Sequence, residues 1–271
     1  MKRRNTVRKK KKINKKPKNK LTPFWKKVIA VVVVAALVIT SVCIAVYDKP
    51  KRSPNVLLTM DKKVADGVDL SEHNGQIDFE MLKNEVDFVI LRVGYTGYGN
   101  GEINLDKNFR ENIKSANDAG IPVGVYYYSQ AIDTDEAKAE AKFVLRHIRR
   151  YDISLPVFFD FEYATKGGDH IGRLYEAGLS AEDNTQIINK FCDTIEKAGY
   201  DIGLYASSYV MKNNIKMNKL NENSYIWVAD YNKKVTYSGK YELWQYSNKG
   251  RLDSVSRGKR DVDLNYWYIK K

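Results

Sequence analysis

Pro156-Val157-Phe158-Phe159-Asp160-Phe161-Glu162 decides how this chain is read. The run is too short for a typical helix and is rich in β-branched and aromatic residues, so it predicts a buried strand. Side chains alternate along a strand, which puts Phe158, Asp160 and Glu162 on one face and Val157, Phe159 and Phe161 on the other. Two carboxyls then stand roughly 6–7 Å apart along the backbone at the end of a strand otherwise suited to a core. Paired acids at that spacing suit acid-catalysed glycoside hydrolysis. The plainer alternative is two strand-end residues that face solvent or cap the next loop.

Outward from this strand, similar runs occur at 67–70, 88–93, 122–128, 202–206, 225–229, 241–246 and 261–264, eight strands in all. Helical patterns lie between the earlier ones, at 77–86, 105–119, 134–150 and 180–198. In 134–150, Ala137, Ala141, Val144, Leu145 and Ile148 form one apolar stripe, with acids at its start and arginines at its end, as the helix dipole prefers. The last three strands are separated by too little chain for full helices. Strands alternating with helices imply a parallel sheet. Eight of them predict an α/β fold, a closed TIM-like barrel with an abbreviated end, ahead of a doubly wound open sheet. No glycine-rich phosphate loop follows the first strand, so a nucleotide cofactor is not expected.

Ahead of the barrel the composition changes twice. Fourteen of the chain's 46 Lys and Arg, and none of its 33 acids, lie in residues 1–27, which leaves the rest within about one charge of neutral. The net charge of +13 is therefore a tail property and implies no nucleic-acid groove. Residues 28–47 follow with no charge, Gly or Pro, and as a helix would span about 30 Å, the thickness of a hydrocarbon core. Phe24, Trp25 and Tyr47 flank them. Lysines on the N-terminal side alone predict residues 1–27 in the cytoplasm, one transmembrane helix at 28–47, and the remainder outside the cell. The basic tail should also attract anionic lipid headgroups. Cleavage after Ala45 is the rival reading, but the segment is longer than a usual signal core, so an uncleaved anchor is favoured. Residues 48–66, with Pro50 and Pro54, are expected as a linker, and 67–271 as the exported domain. Cys43 and Cys192 fall in different segments, which argues against a disulfide. His73, His147 and His170 have no metal-ligand spacing.

In a barrel, functional groups gather at the C-terminal ends of the strands. Asp69 ends the first strand, Asp160 and Glu162 end the fourth, and Asp263 lies on the last, the neighbour of the first. Four acids are thus expected at one mouth. Tyr126, Tyr128, Tyr205, Trp227 and Trp244 are candidate platforms for sugar rings, or ordinary core and rim aromatics. Arg92, on an apolar strand, is either a carboxylate partner or a substrate contact.

The ordered set Gly67-Val-Asp69-Leu-Ser71, Gly75-Gln-Ile-Asp78-Phe79, Phe88-Val-Ile-Leu-Arg-Val-Gly94, Pro122-Val-Gly-Val-Tyr-Tyr-Tyr128, Phe159-Asp-Phe-Glu162, Gly203-Leu-Tyr205, Trp227-Val-Ala229, Leu243-Trp-Gln-Tyr246 and Val262-Asp-Leu-Asn265 resembles glycoside hydrolase family 25, the Chalaropsis-type lysozymes. The resemblance covers 67–271 and none of 1–66. It implies an irregular (β/α)5(β)3 barrel; together with the anchor predicted at 28–47 the chain reads as a membrane-anchored bacterial form, and no cofactor or metal is expected. The implied activity is hydrolysis of the β-1,4 bond between N-acetylmuramic acid and N-acetylglucosamine in the glycan strands of peptidoglycan. It further implies Glu162 as proton donor, with a pKa raised by neighbouring anions, and Asp160 as stabiliser of the developing charge, with Asp69 and Asp263 completing the site. The spacing of Asp160 and Glu162 leaves retention and inversion open, while the resemblance favours retention through the substrate's own acetamido group. A non-catalytic wall-binding module, or a glycosidase acting on another N-acetylated glycan, are the alternatives. Residues 163–179 form a longer loop than the motifs require.

Overall fold

The computed structural model describes residues 22–47 and 53–269, with side chains beyond Val38 undescribed in the first segment. The expected basic tail at 1–27 falls largely outside the described residues. Helix α1 spans Pro23–Tyr47 and belongs to a unit separate from the barrel. Among the described residues no helix is long and apolar enough to cross a membrane. Within the span expected at 28–47, the side chains of residues 39–47 are outside the described ones.

The second unit carries strands β1 Val64–Leu70, β2 Phe88–Thr96, β3 Ile103–Leu105, β4 Val123–Ser129, β5 Val157–Phe161, β6 Ala164–Lys166, β7 Asp169–Ile171, β8 Ile202–Ser207, β9 Tyr225–Ala229, β10 Leu243–Gly250 and β11 Val262–Tyr268. Its helices are α2 Phe79–Leu82, α3 Phe109–Ala119, α4 Thr134–Ile148, α5 Arg173–Glu176, α6 Ala181–Glu196 and α7 Ser208–Asn213. β1, β2, β4, β5, β8, β9, β10 and β11 pair in that order, and β11 also pairs with β1, which closes the ring. The first seven run parallel. β11 is antiparallel to both β10 and β1. Five strand–helix units and three terminal strands match the architecture expected from the sequence.

The antiparallel last strand corrects one step of the sequence reasoning. Asp263 is near the start of β11, so a rule about C-terminal strand ends would place it at the far end of a parallel barrel. Because β11 runs the other way, its start lies at the mouth, where Asp263 is the cross-strand partner of Asp69.

Strand alternation builds two cores. Phe88, Ile90, Phe158, Trp227 and Trp267 fill the barrel interior. Val157, Phe159 and Phe161 face outward against the helices, as do Val144 and Ile148 of α4 and Ile188 and Phe191 of α6. Small residues make room inside. A Cβ on Gly67 would lie 2.3 Å from the Phe88 ring, and one on Gly203 would lie 2.4 Å from Phe158. Gly67→Ala is therefore expected to destabilise the barrel by about 1–3 kcal/mol through overpacking, read as a lower midpoint in urea unfolding.

The segment 48–66, expected as a linker, is in part barrel. Leu57 is fully buried with Ala65, Phe88 and Leu155, at the end where the parallel strands begin. Ser53 donates to Asp152 through its backbone N–H (2.8 Å) and its hydroxyl (2.6 Å). β1 starts at Val64, three residues before the expected boundary. The prolines and charges of this stretch hid the apolar Leu57 that plugs the barrel.

Candidate active site

The mouth of the barrel opens into a cleft of about 840 Å³, lined by Asp160, Glu162, Asp263, Arg92, Tyr126 and Tyr128 among others. A deeper recess of about 200 Å³ shares Asp160, Glu162, Asp263 and Tyr126 and adds Asp69, Tyr205 and Trp227. The four acids expected together do converge. Asp69 and Asp160 are only 5% and 4% exposed, while Glu162 and Asp263 are partly open to the cleft.

A hydrogen-bond chain orients the floor. Trp227 Nε1 donates to Asn265 Oδ1 (2.8 Å), and Asn265 Nδ2 donates to Asp69 Oδ2 (2.9 Å). Gln245 Nε2 donates to the same oxygen (2.9 Å). Gln245 Oε1 in turn accepts from Tyr205 (2.8 Å) and Tyr231 (2.7 Å). The Tyr205 hydroxyl also lies 3.4 Å from Glu162 Oε1, and its single proton serves one acceptor at a time. Asp160 Oδ1 is buried and makes no hydrogen bond among the described residues. An unsatisfied buried acceptor at the base of a cleft is a place for a ligand donor.

Burial is the first cause of the raised pKa in all four acids; repulsion by a neighbouring acid comes second for Asp69 and Asp160, whereas a hydrogen bond that lowers the pKa comes second for Glu162 and Asp263. Burial raises Asp69, helped by Asp263 and opposed by bonds from Asn265 and Gln245. Asp160 is raised by burial and then by Glu162 and Asp69, against a smaller pull from Arg92. Glu162 is pushed up to about 7 by burial, against the Tyr205 bond, and Asp263 up to about 6. The sequence reading expected neighbouring charges to dominate at Glu162; removal from water does more. Glu162 raises the pKa of Asp160, so a second ionisation in this pair is costly.

These shifts set the sign of a stability trend. An acid whose folded pKa lies above its unfolded value binds more protons folded than unfolded between the two, so stability falls as pH rises through that window. Glu140, buried behind the sheet between Thr96 and Ser129, has the same sign, with its pKa pushed up to about 7. Asp230, held well below the usual carboxylate range by Ser208 and Thr236, acts only at lower pH. Unfolding free energy is expected to drop from pH 5 to pH 7.5 with a slope on the order of 1 kcal/mol per unit. Urea titrations at the two pH values measure it, and Asp69→Asn should flatten the slope.

Arg92 takes the first of its two expected roles. Its Nε donates to Asp106 Oδ2 (2.8 Å), and Nη2 lies 3.4 Å from Glu72 Oε1. Asp106, fully buried, also accepts from the backbone of Glu72 (2.9 Å). Trp227 is almost fully buried beneath the acids, with Tyr205 at 4.5 Å and Phe158 at 5.1 Å between ring centroids. It is a floor more than an open platform. Trp244, also expected at the substrate, lines neither the cleft nor the recess. It is on the outer face of β10, where Nε1 donates to the Asp230 carbonyl (2.6 Å) and the ring packs with Tyr246 and Tyr266. Leu243 and Gln245 take the inward positions, so alternation turns Trp244 away.

Loop 163–179 is a β6–β7 hairpin followed by α5. It holds an aromatic cluster of its own, Tyr163, His170 and Tyr175. Arg173 pins it through two 2.7 Å bonds to Glu136. Cys192 is a buried free thiol, its pKa pushed up to about 12 by burial. Among the described residues no group of three or more His, Cys, Asp or Glu is arranged to hold a metal ion.

Residues 68–255, more than half of the chain, match the family model for glycosyl hydrolases family 25. The chain belongs to this family. A family-25 glycosyl hydrolase of Bacillus anthracis has the same fold, with a TM-score of 0.62, 24% identity, and coverage of 78% of this chain and 92% of that one. The modular autolysin LytC of Streptococcus pneumoniae, solved with a synthetic peptidoglycan ligand, superposes with a TM-score of 0.63 at 30% identity over 76% of this chain and 47% of LytC. An autolytic lysozyme of Clostridium acetobutylicum is 24% identical over 198 residues, 73% of this chain and 54% of that protein. The chain thus spans about half the length of these two relatives. Within the family-25 match lie Asp69, Asp160 and Glu162; Asp263 lies eight residues past its end.

Proposed function

We propose that this family-25 chain is a membrane-anchored muramidase, hydrolysing the β-1,4 bond between N-acetylmuramic acid and N-acetylglucosamine in peptidoglycan. The observation that carries this reading is the set of four carboxyls at one barrel mouth, on a cleft large enough for several atoms of sugar on either side. Glu162, partly open to the cleft and with a raised pKa, is the proton donor to the leaving glycosidic oxygen. As the C1–O bond breaks, the acetamido carbonyl oxygen of the muramic residue bonds to C1. Asp160 accepts the acetamido N–H on its unpaired Oδ1 and stabilises the oxazolinium-like species. The N–H draws the ionised form onto Asp160, which leaves the pair's proton on Glu162. Water then attacks C1, with Glu162 now the base.

Asp69 fixes the floor through Gln245 and Asn265, and its cross-strand partner Asp263 stands partly open to the cleft where positive charge develops on the sugar. Tyr126 and Tyr128 offer ring faces to the substrate.

The location follows from the sequence. Twenty uncharged residues within a helical segment, with lysines on one side only, support an N-terminus in the cytoplasm, an anchor at 28–47 and catalysis at the wall outside the cell. Anionic headgroups would hold the basic tail. Loss of turbidity of purified cell walls, followed with the full chain in detergent, tests the enzymatic reading. Clearing supports it. Binding to walls without clearing identifies a non-catalytic wall-binding module instead.

A further inference from the structure

The cleft that holds the acids has a second wall of opposite charge. Residues 249–260, the end of β10 and its connection to β11, carry Lys249, Arg251, Arg257, Lys259 and Arg260 against the single acid Asp253. Arg251, Lys259 and Arg260 are exposed and line the same cleft as Asp160, Glu162 and Asp263. The protonation of the acids is governed by burial, by one another and by Arg92. The three cations face the same cleft as the acids.

This wall is built, not loose. Ile77 and Val255 form a β-bridge. Ser256 N–H donates to the Gln76 carbonyl (2.7 Å), Asp78 N–H to Ser254 (2.8 Å), and the Ser256 hydroxyl to Asn74 (2.6 Å). Ser256 and Arg257 are held at φ of 48° and 55°, the left-handed region that non-glycine residues rarely adopt. Such backbone persists only where surrounding bonds over-determine it. Arg260 donates to the His73 carbonyl, and Arg251 pairs with Asp261 at 2.7 Å. Among the described residues the Lys259 ammonium has no ion pair or side-chain hydrogen bond.

We propose that Arg251, Lys259 and Arg260 form a subsite for the carboxylates of the peptide stem carried by the glycan strand. The inference rests on the peptidoglycan reading above. The glycan backbone itself offers these cations no anion, because its acetamido groups are neutral and the lactyl carboxyl is consumed in the amide to the stem. The stem branches from the muramic residue, the sugar whose C1 is attacked, so it must leave the cleft close to Asp160 and Glu162. Its free carboxylates, or phosphates on polymers attached to the wall, are the anions that pass this wall. Guanidinium and ammonium groups bind both, and exposed cations of this kind act on specificity and encounter more than on the chemical step.

The test compares native stem-bearing glycan with the same glycan after its stem carboxylates are converted to neutral amides by carbodiimide and ammonia, both free of wall phosphate polymers, using the full chain in detergent. The readout is the ratio of kcat/KM for the two substrates. The wild type is expected to prefer the native glycan by about fivefold at low salt, fading at high salt. Lys259→Glu should erase the ratio by raising KM on the native glycan while kcat at saturation is kept, and Lys259→Arg should retain the preference. An unchanged ratio in Lys259→Glu, with hydrolysis intact, overturns the subsite and leaves the muramidase reading standing. A wild-type preference that appears only when wall phosphates are left in place assigns the wall to phosphate and also overturns it. Failure of the wild type to hydrolyse either glycan refutes the muramidase reading itself.

Discussion

Glu162→Gln lowers kcat on cell walls by about a thousandfold, within the range that a positioned general acid contributes. The amide keeps the shape of the carboxyl and can still accept from Tyr205, which lies 3.4 Å from Glu162 Oε1. It cannot give a proton to the leaving oxygen. Binding should survive, because the rest of the cleft is untouched, so the loss falls on kcat with KM nearly constant. Stability should rise slightly at neutral pH, since a buried acid with a raised pKa is removed. Steady-state rates and urea unfolding on the same preparation separate the two effects. Full activity in a folded Glu162→Gln protein would remove Glu162 from the mechanism.

Asp160→Asn is the second large effect, a fall in kcat on the order of a hundredfold. The argument starts from the unpaired, buried Asp160 Oδ1. In the proposed complex it accepts the acetamido N–H and holds negative charge beside the developing cation. Asn retains an acceptor but no charge, and its own N–H₂ adds a donor where the substrate also donates. The pH profile should move as well. A carboxylate beside Glu162 makes a second ionisation costly, and a neutral amide does not, so the alkaline limb of the rate profile shifts to lower pH. An unmoved limb with an unchanged rate would show that Asp160 and Glu162 do not act as a pair. NMR of the anomer first released by the wild type reads the stereochemistry; β first supports the acetamido route, and α first excludes it.

The strand reading at 156–162 carried most of what the sequence could tell. Alternation along a short apolar run set Phe158 and Asp160 on the interior face, and three strands ending in acids pointed to one mouth. What alternation could not supply was strand direction. Asp263 reaches the mouth only because β11 is antiparallel, which a count of residues between strands does not reveal. Trp244 shows the opposite error: an aromatic near a strand end looked like a sugar platform, but its neighbours Leu243 and Gln245 own the inward face. Gln245 and Asn265 sat in quoted motifs without a role, because polar residues inside an apolar barrel declare themselves only once their partners, Asp69 and Trp227, are in place. Asp106, the partner of Arg92, comes from a loop fourteen residues away with no pattern to mark it. Leu57 was hidden by a charged and proline-bearing context that resembles a spacer.

The proposed anchor and the cleft would make one functional statement together. A tethered muramidase opens the wall only within reach of its own bilayer, which suits local remodelling better than wholesale lysis.

The central claim is the bond cleaved, and the products test it most directly. Purified walls are digested with the full chain, the new reducing ends are reduced with borohydride, and the fragments are identified by mass spectrometry. The account predicts reduced N-acetylmuramic acid at the new ends, with Glu162→Gln yielding almost none. Reduced N-acetylglucosamine at those ends, or fragments cut in the peptide, would contradict it.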